Sequence, residues 1–109
     1  MVLVREERGR TLQVRMSAEK RLQDRIVAYA RGKGWKVKRN YMGPGAEVGW
    51  PDLEIFMSRG RILLIEVKAP DGKLRKVQEY RIQELRALGH RAEVCDDFLD
   101  AVSIIEEYE

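Results

Sequence analysis

Two periods of apolar residues run along this chain. Between Ala18 and about Lys33, Leu22, Ile26, Tyr29 and Ala30 recur at spacings of three and four, with Glu19 opening the same face. That pattern predicts an amphipathic helix, capped by Ser17 and stopped by Gly32 and Gly34. Trp35 to Arg39 then alternates as a short strand, and Asn40 to Trp50, with Gly43, Pro44, Gly45 and Gly49, reads as a loop. Asp52-Leu53-Glu54-Ile55-Phe56 and Arg61-Ile62-Leu63-Leu64-Ile65-Glu66-Val67-Lys68 are rich in branched and aromatic residues and are separated by Ser58-Arg59-Gly60. They predict a hairpin. A turn at Ala69-Pro70-Asp71-Gly72 leads to a helix from about Arg75 to Leu88, with Gln78, Ile82 and Leu85 on one face and Gly89 as its stop. Arg91 to Cys95 reads as a strand. Asp97 to Glu107 reads as a helix with Phe98, Ala101, Val102 and Ile105 inward.

The order is helix, three strands, helix, strand, helix. The hairpin requires antiparallel pairing, whereas the helix joining the third strand to the fourth implies a parallel crossover. The fold class expected is α/β, a small mixed sheet with helices on its faces, in the order αβββαβα. Residues 1–16 alternate loosely through Leu12, Val14 and Met16 and suggest a strand or arm ahead of a single domain at 17–109.

The hairpin turn fixes more than topology. A three-residue loop ending in Gly60 is the type I turn with a bulge, which closes the hairpin at Met57 and Arg61 and sets Asp52 opposite Glu66. Residues directly opposite project side chains about 5 Å apart on one face. Lys68 shares that face with Glu66, while Leu63, Ile65 and Val67 take the other. Two carboxylates and an amine therefore meet at one end of an otherwise apolar hairpin.

Composition narrows what they can do. With Cys95 the single cysteine and His90 the single histidine, an internal disulfide is excluded and a structural zinc site disfavoured, so a metal would need oxygen ligands. His90 reads as a loop residue and Cys95 as a buried one. No apolar run reaches membrane-spanning length and the first residues lack a secretion signal, so a cytoplasmic protein without membrane attachment is expected. The net charge of +3 is uneven: Asp96 onward holds six acidic residues and no Lys or Arg, which leaves +9 on residues 1–95. Such a body suits a polyanion.

Mg²⁺ takes oxygen ligands and keeps several waters, so one or two carboxylates and a substrate phosphate suffice. Asp52 and Glu66 fit that role, with the backbone carbonyl of Val67 as a third candidate ligand. Lys68 supplies a compact cation that could hold an attacking water or stabilise charge on a phosphoryl oxygen. The set is a minimum kit for phosphodiester hydrolysis. The plain alternative is an exposed strand end with a surface ion pair.

Gly49-Trp50-Pro51-Asp52-Leu53, then Ile65-Glu66-Val67-Lys68, then Gln78 in the following helix resembles the PD-(D/E)xK nuclease superfamily, and within it the virus-type replication-repair nuclease (VRR-NUC) domain. The resemblance runs from about Ser17 to Ala101; Trp50 stands where the family more often has a small or β-branched residue. It implies a restriction-endonuclease-like core and dependence on Mg²⁺ or Mn²⁺. It also implies Asp52 and Glu66 as metal ligands, Lys68 as the catalytic lysine, and Glu19 and Gln78 as supporting active-site residues. Minimal members resemble structure-specific, junction-cleaving nucleases, so branched or four-way-junction DNA is the expected partner. Lys73, Arg75 and Lys76 are expected to contact phosphate. Symmetric cutting of a junction needs two sites, hence an expected homodimer with residues 1–16 at its pairing surface. The alternative is a DNA-binding module on this fold that lacks catalysis.

Overall fold

The computed structural model describes residues 2–40 and 43–109, with side chains from Ser17 onward. Helix α1 spans Val2–Gly32. Strands β1 (Lys36–Arg39), β2 (Leu53–Phe56) and β3 (Ile62–Val67) follow, then α2 (Lys76–Ala87), β4 (Arg91–Cys95) and α3 (Phe98–Tyr108). The four strands lie in the order β1-β2-β3-β4. β1 with β2 and β2 with β3 are antiparallel, and β3 with β4 is parallel. This is the mixed α/β arrangement that the periodicity predicts, with β3 in the middle.

The first helix differs from expectation. It passes through Ser17 without a break, so Ser17 is no N-cap, and residues 2–16, expected as a strand or arm, are helical. The alternation of Leu12, Val14 and Met16 loses to a segment rich in Arg, Glu, Gln, Leu and Met, which are all good helix formers. The far end is as expected: Gly34 adopts φ 86°, Gly34 N–H bonds Arg31 C=O at 2.9 Å and Trp35 N–H bonds Ala30 C=O at 3.3 Å. That pairing closes the orphan carbonyls of the last turn. Gly89, with φ 93°, ends α2 in the same way, His90 N–H bonding Leu85 C=O at 3.0 Å. Asp97 caps α3 by accepting from Asp100 N–H at 3.1 Å.

The hairpin closes at Met57 and Arg61, whose N–H to C=O bond is 2.8 Å, and Leu53 faces Ile65. The register is the expected one, although the turn is not. Arg59 and Gly60 both have positive φ, 64° and 73°, so the tip has the I′ pattern and not a type I turn with a bulge. A non-glycine residue in the left-handed region costs energy, yet this hand of turn matches the twist of the strands.

The sheet divides the apolar residues into two clusters. On one face Leu53, Ile55, Leu63, Ile65 and Val67 pack with Leu22, Ile26, Val27 and Ala30 of α1 and Ala101 and Ile105 of α3. Cys95 is buried there. On the other face Leu64 and Ala92 meet Ile82 and Leu85 of α2, with Trp50, Ile62, Leu74 and Val94 at the margin. His90 is exposed in its loop. None of the described helices is long and apolar enough to cross a membrane.

Candidate active site

Continuing the β2–β3 register by one residue sets Asp52 opposite Glu66, on the face that α2 covers. Local structure holds each member. Pro51 is fully buried and its carbonyl accepts the Asn40 side-chain N–H at 2.7 Å, while Asn40 N–H bonds Asp52 C=O at 2.8 Å. Asn40 thus pins the backbone on both sides of the Pro51–Asp52 bond. Its place at the end of β1 gives no sequence signal of its own, and sequence reasoning passed over it. Gly49 was read as a loop residue and as the start of the motif running into Asp52, without a reason for glycine there; its φ is 78° and a Cβ would lie 2.6 Å from Val77 O. Only glycine lets the loop approach α2 so closely. Gly45, by contrast, has open space around it.

Glu66 is 2% exposed and Gln78 3% exposed, which removes the reading of a solvated strand end. Gln78 Nε2 donates to Glu66 Oε2 at 3.0 Å, and its Oε1 accepts Arg75 N–H at 2.9 Å. One amide therefore locks a buried carboxylate and satisfies the first turn of α2. Lys68 Nζ lies 3.5 Å from the same Glu66 Oε2. Gln78, expected only as a supporting active-site residue, reaches Glu66. Glu66 Oε1 is buried without a hydrogen-bond partner. An acceptor left unmade inside a protein is costly, and what can relieve it here is a proton shared with the Asp52 carboxyl or a bound cation.

Asp52 Oδ2 accepts Val67 N–H at 2.8 Å across the hairpin end. Because N–H and C=O of one strand residue leave the strand on the same edge, the Val67 carbonyl faces the Asp52 side as well. Glu19 stands mid-helix in α1, so it does not offset a helix N-terminus; its Oε1 accepts Ala69 N–H at 3.3 Å. It holds the turn that follows Lys68. Of the three cations expected at phosphate, Lys73, Arg75 and Lys76 are all exposed, and Arg75 touches the cluster through its backbone N–H.

Burial dominates the electrostatics. It pushes the Glu66 carboxyl up to about 8, with the neighbouring Asp52 charge adding to the rise and Lys68 opposing it. Asp52 is raised for the same first reason, against the pull of the Val67 N–H. Two carboxylates this close and this dry resist being ionised together unless a cation joins them. No group of three or more His, Cys, Asp or Glu side chains converges among the described residues. A cation would therefore be held by two carboxylates and, for the rest, by backbone, water or substrate, a donor set that suits Mg²⁺ or Mn²⁺. The orphaned Glu66 Oε1 fits that group.

A central strand carrying an acid and a lysine two residues apart, faced by an aspartate across a hairpin and braced by a helix glutamine, is the pattern of the PD-(D/E)xK nucleases. The VRR-NUC domain model matches residues 2–97, and the chain belongs to the VRR-NUC family, a family of nuclease domains. The match begins well before Ser17 and takes in the first half of α1. A solved structure described as a VRR_NUC domain is 26% identical, with a TM-score of 0.73 over 84% of this chain and 98% of the other. Another, a VRR_NUC domain protein, shares the fold at 23% identity and a TM-score of 0.67, covering 83% of this chain and 86% of its own. No curated protein sequence matches the chain.

Proposed function

We propose that this protein is a divalent-metal-dependent endonuclease that hydrolyses DNA phosphodiester bonds at branched structures. The observation that carries the reading is the buried Glu66 Oε1 without a partner, across the hairpin from Asp52 and next to Lys68. Asp52 and Glu66, with the Val67 carbonyl, would hold Mg²⁺ or Mn²⁺. The ion would polarise a phosphoryl oxygen and acidify a water. The chain's own residues do the rest. Gln78 keeps Glu66 in one orientation, and Asn40 and the Val67 N–H keep Asp52 in place. The Lys68 ammonium is positioned to orient the attacking water or to take up charge developing on the phosphoryl oxygens. Glu19 steadies the turn after Lys68 and acts through position, without touching the substrate. Lys73, Arg75 and Lys76 bind backbone phosphates beside the site.

Cleavage of labelled duplex, flap, single-stranded and four-way-junction DNAs with Mg²⁺ and with Mn²⁺ tests the reading. Branched substrates should be cut fastest and chelation should stop the reaction. Binding without cutting under every condition would convert the protein into a DNA-binding module. Paired cuts at a junction call for a homodimer, which light scattering at micromolar concentration would detect. Residues 2–16 are helical, so their part in such a pairing would be that of a helical arm and not of an exchanged strand.

A further inference from the structure

The ladder puts Lys36 beside Phe56 and Lys38 beside Glu54, and β3 continues those two rows with Ile62 and Leu64. Helix α2 covers the β3 end of each row, where Leu64 packs with Ile82 and Leu85 and Ile62 lies at the margin. It does not reach the other end. Phe56 is 40% exposed, and Lys36 and Lys38 are exposed. Half of this sheet face is therefore uncovered, and it is the face on which Asp52 and Glu66 lie. An open cavity of about 640 Å³ runs alongside, between the end of β1 and the loop before Pro51, with Lys38, Asn40, Trp50 and Glu54 among its walls.

Of the acids near this surface, Glu47 is paired with a cation and Glu54 with a neutral donor. Trp50 Nε1 donates to Glu54 Oε2 at 3.0 Å, and Arg81 pairs with Glu47 at 3.1 Å. Among the described residues neither Lys36 nor Lys38 has a carboxylate partner. The surface thus carries two exposed lysines: Phe56 lies between Lys36 and the helix side, and Glu54, held by the Trp50 indole, lies beside Lys38. From strand spacing and rise, Lys38 lies about 8 Å and Lys36 about 14 Å from Asp52, measured between Cα positions. They extend a straight path away from the carboxylates.

We propose that Lys36, Lys38 and Phe56 form the landing surface for an unpaired DNA strand that leaves the cleavage position. The inference rests on the nuclease reading and adds to it where the single-stranded arm of a branched substrate lies. The lysines bind successive phosphates and Phe56 stacks under a base. Duplex DNA suits this surface poorly, because its bases already stack on one another and cannot offer a face to Phe56. Lysine on an edge strand has a simpler use, to keep other strands from pairing there. That use needs neither the aromatic ring nor the uncovered face.

Fluorescence anisotropy in EDTA, on the full chain, separates these uses without requiring cleavage. The probes are a splayed-arm duplex, a blunt duplex of the same sequence and a single strand. The Lys36→Ala/Lys38→Ala protein should bind the splayed-arm and single-stranded probes about tenfold more weakly and show a salt slope lower by about 1.4. Phe56→Ala should weaken the same two probes about tenfold with the slope unchanged. Lys36→Arg/Lys38→Arg should restore both affinity and slope, which shows that charge and not folding was lost. Equal losses on the blunt duplex would overturn the proposal in favour of a duplex-binding surface. Unchanged affinity on every probe would leave the lysines as guards of the edge strand and would also overturn it. So would a wild-type dimer that these variants convert to a monomer. Failure of the wild type to cut any DNA while these affinities hold would count against the nuclease reading alone.

Discussion

The two faces of strand β3 were built from one sequence and do opposite things. Leu63, Ile65 and Val67 point into a cluster closed by α1 and α3, in which every one of them is completely buried. Leu64, Glu66 and Lys68 point the other way, where the α2 cluster is smaller and gives way to a buried acid, an amide and a lysine. One face removes apolar area from water and supplies stability; the other spends burial on polar groups, and the Glu66 carboxyl's pKa rises as a result. Stability and chemistry are one residue apart along the chain, so substitutions on the two faces should fail in different ways.

The sharpest contrast comes from changing charge without shape. Asp52→Asn or Glu66→Gln should cut the rate of DNA cleavage by about a thousandfold or more while leaving the far-ultraviolet circular dichroism and DNA binding intact. A folded variant of either kind that cleaves at more than about a tenth of the wild-type rate breaks the assignment. Lys68→Ala should lower single-turnover cleavage about a hundredfold at saturating Mg²⁺ and leave metal affinity, read by calorimetry, nearly unchanged. Loss of affinity with a normal rate at saturation would make Lys68 a structural partner of Glu66 instead.

Ile65→Ala, one position from Glu66, should do the reverse, destabilising the protein by about 2–5 kcal/mol in a denaturant titration through loss of buried apolar volume. Activity per folded molecule should survive. A midpoint like that of the wild type would mean that the α1 face is less tightly filled than its burial indicates.

Proton linkage gives the mildest test. The folded-state pKa of Glu66 is pushed up to about 8 from 4.5, so in the metal-free protein the folded form holds a proton that the unfolded chain has already released. The stability this contributes is fully present below about pH 4.5 and is lost as pH rises through about 8; Asp52, also raised, acts in the same direction. Denaturant midpoints of chelated protein should therefore fall between pH 5 and 8, and Glu66→Gln should flatten the slope. An unchanged slope in that variant would place the titration elsewhere.

Much of this arrangement was legible in the sequence because it follows from alternation and from loop length. Three residues between Met57 and Arg61 are enough to oppose Asp52 to Glu66, whatever hand the turn takes. For the same reason the left-handed Arg59 could be missed without harm to the register. Gln78 was placed by helical spacing, but its partner was not, since spacing says which face a side chain is on and not what it meets. Asn40 and Gly49 act through contacts to Pro51 and Val77, which are distant in sequence and carry no local pattern. The start of α1 was lost because charged, helix-favouring residues and a weak alternation compete over the same stretch.

Cys95 has a practical consequence. It is the protein's single cysteine, it is fully buried, and burial pushes its thiol up to about 12. The thiolate that would react with a maleimide is scarce at neutral pH and shielded besides. The chain is therefore a ready-made blank for site-specific labelling. A cysteine introduced at exposed Ser58, on the hairpin tip, would be its one reactive handle, and a dye attached there could report DNA arriving at the sheet without any other residue being changed.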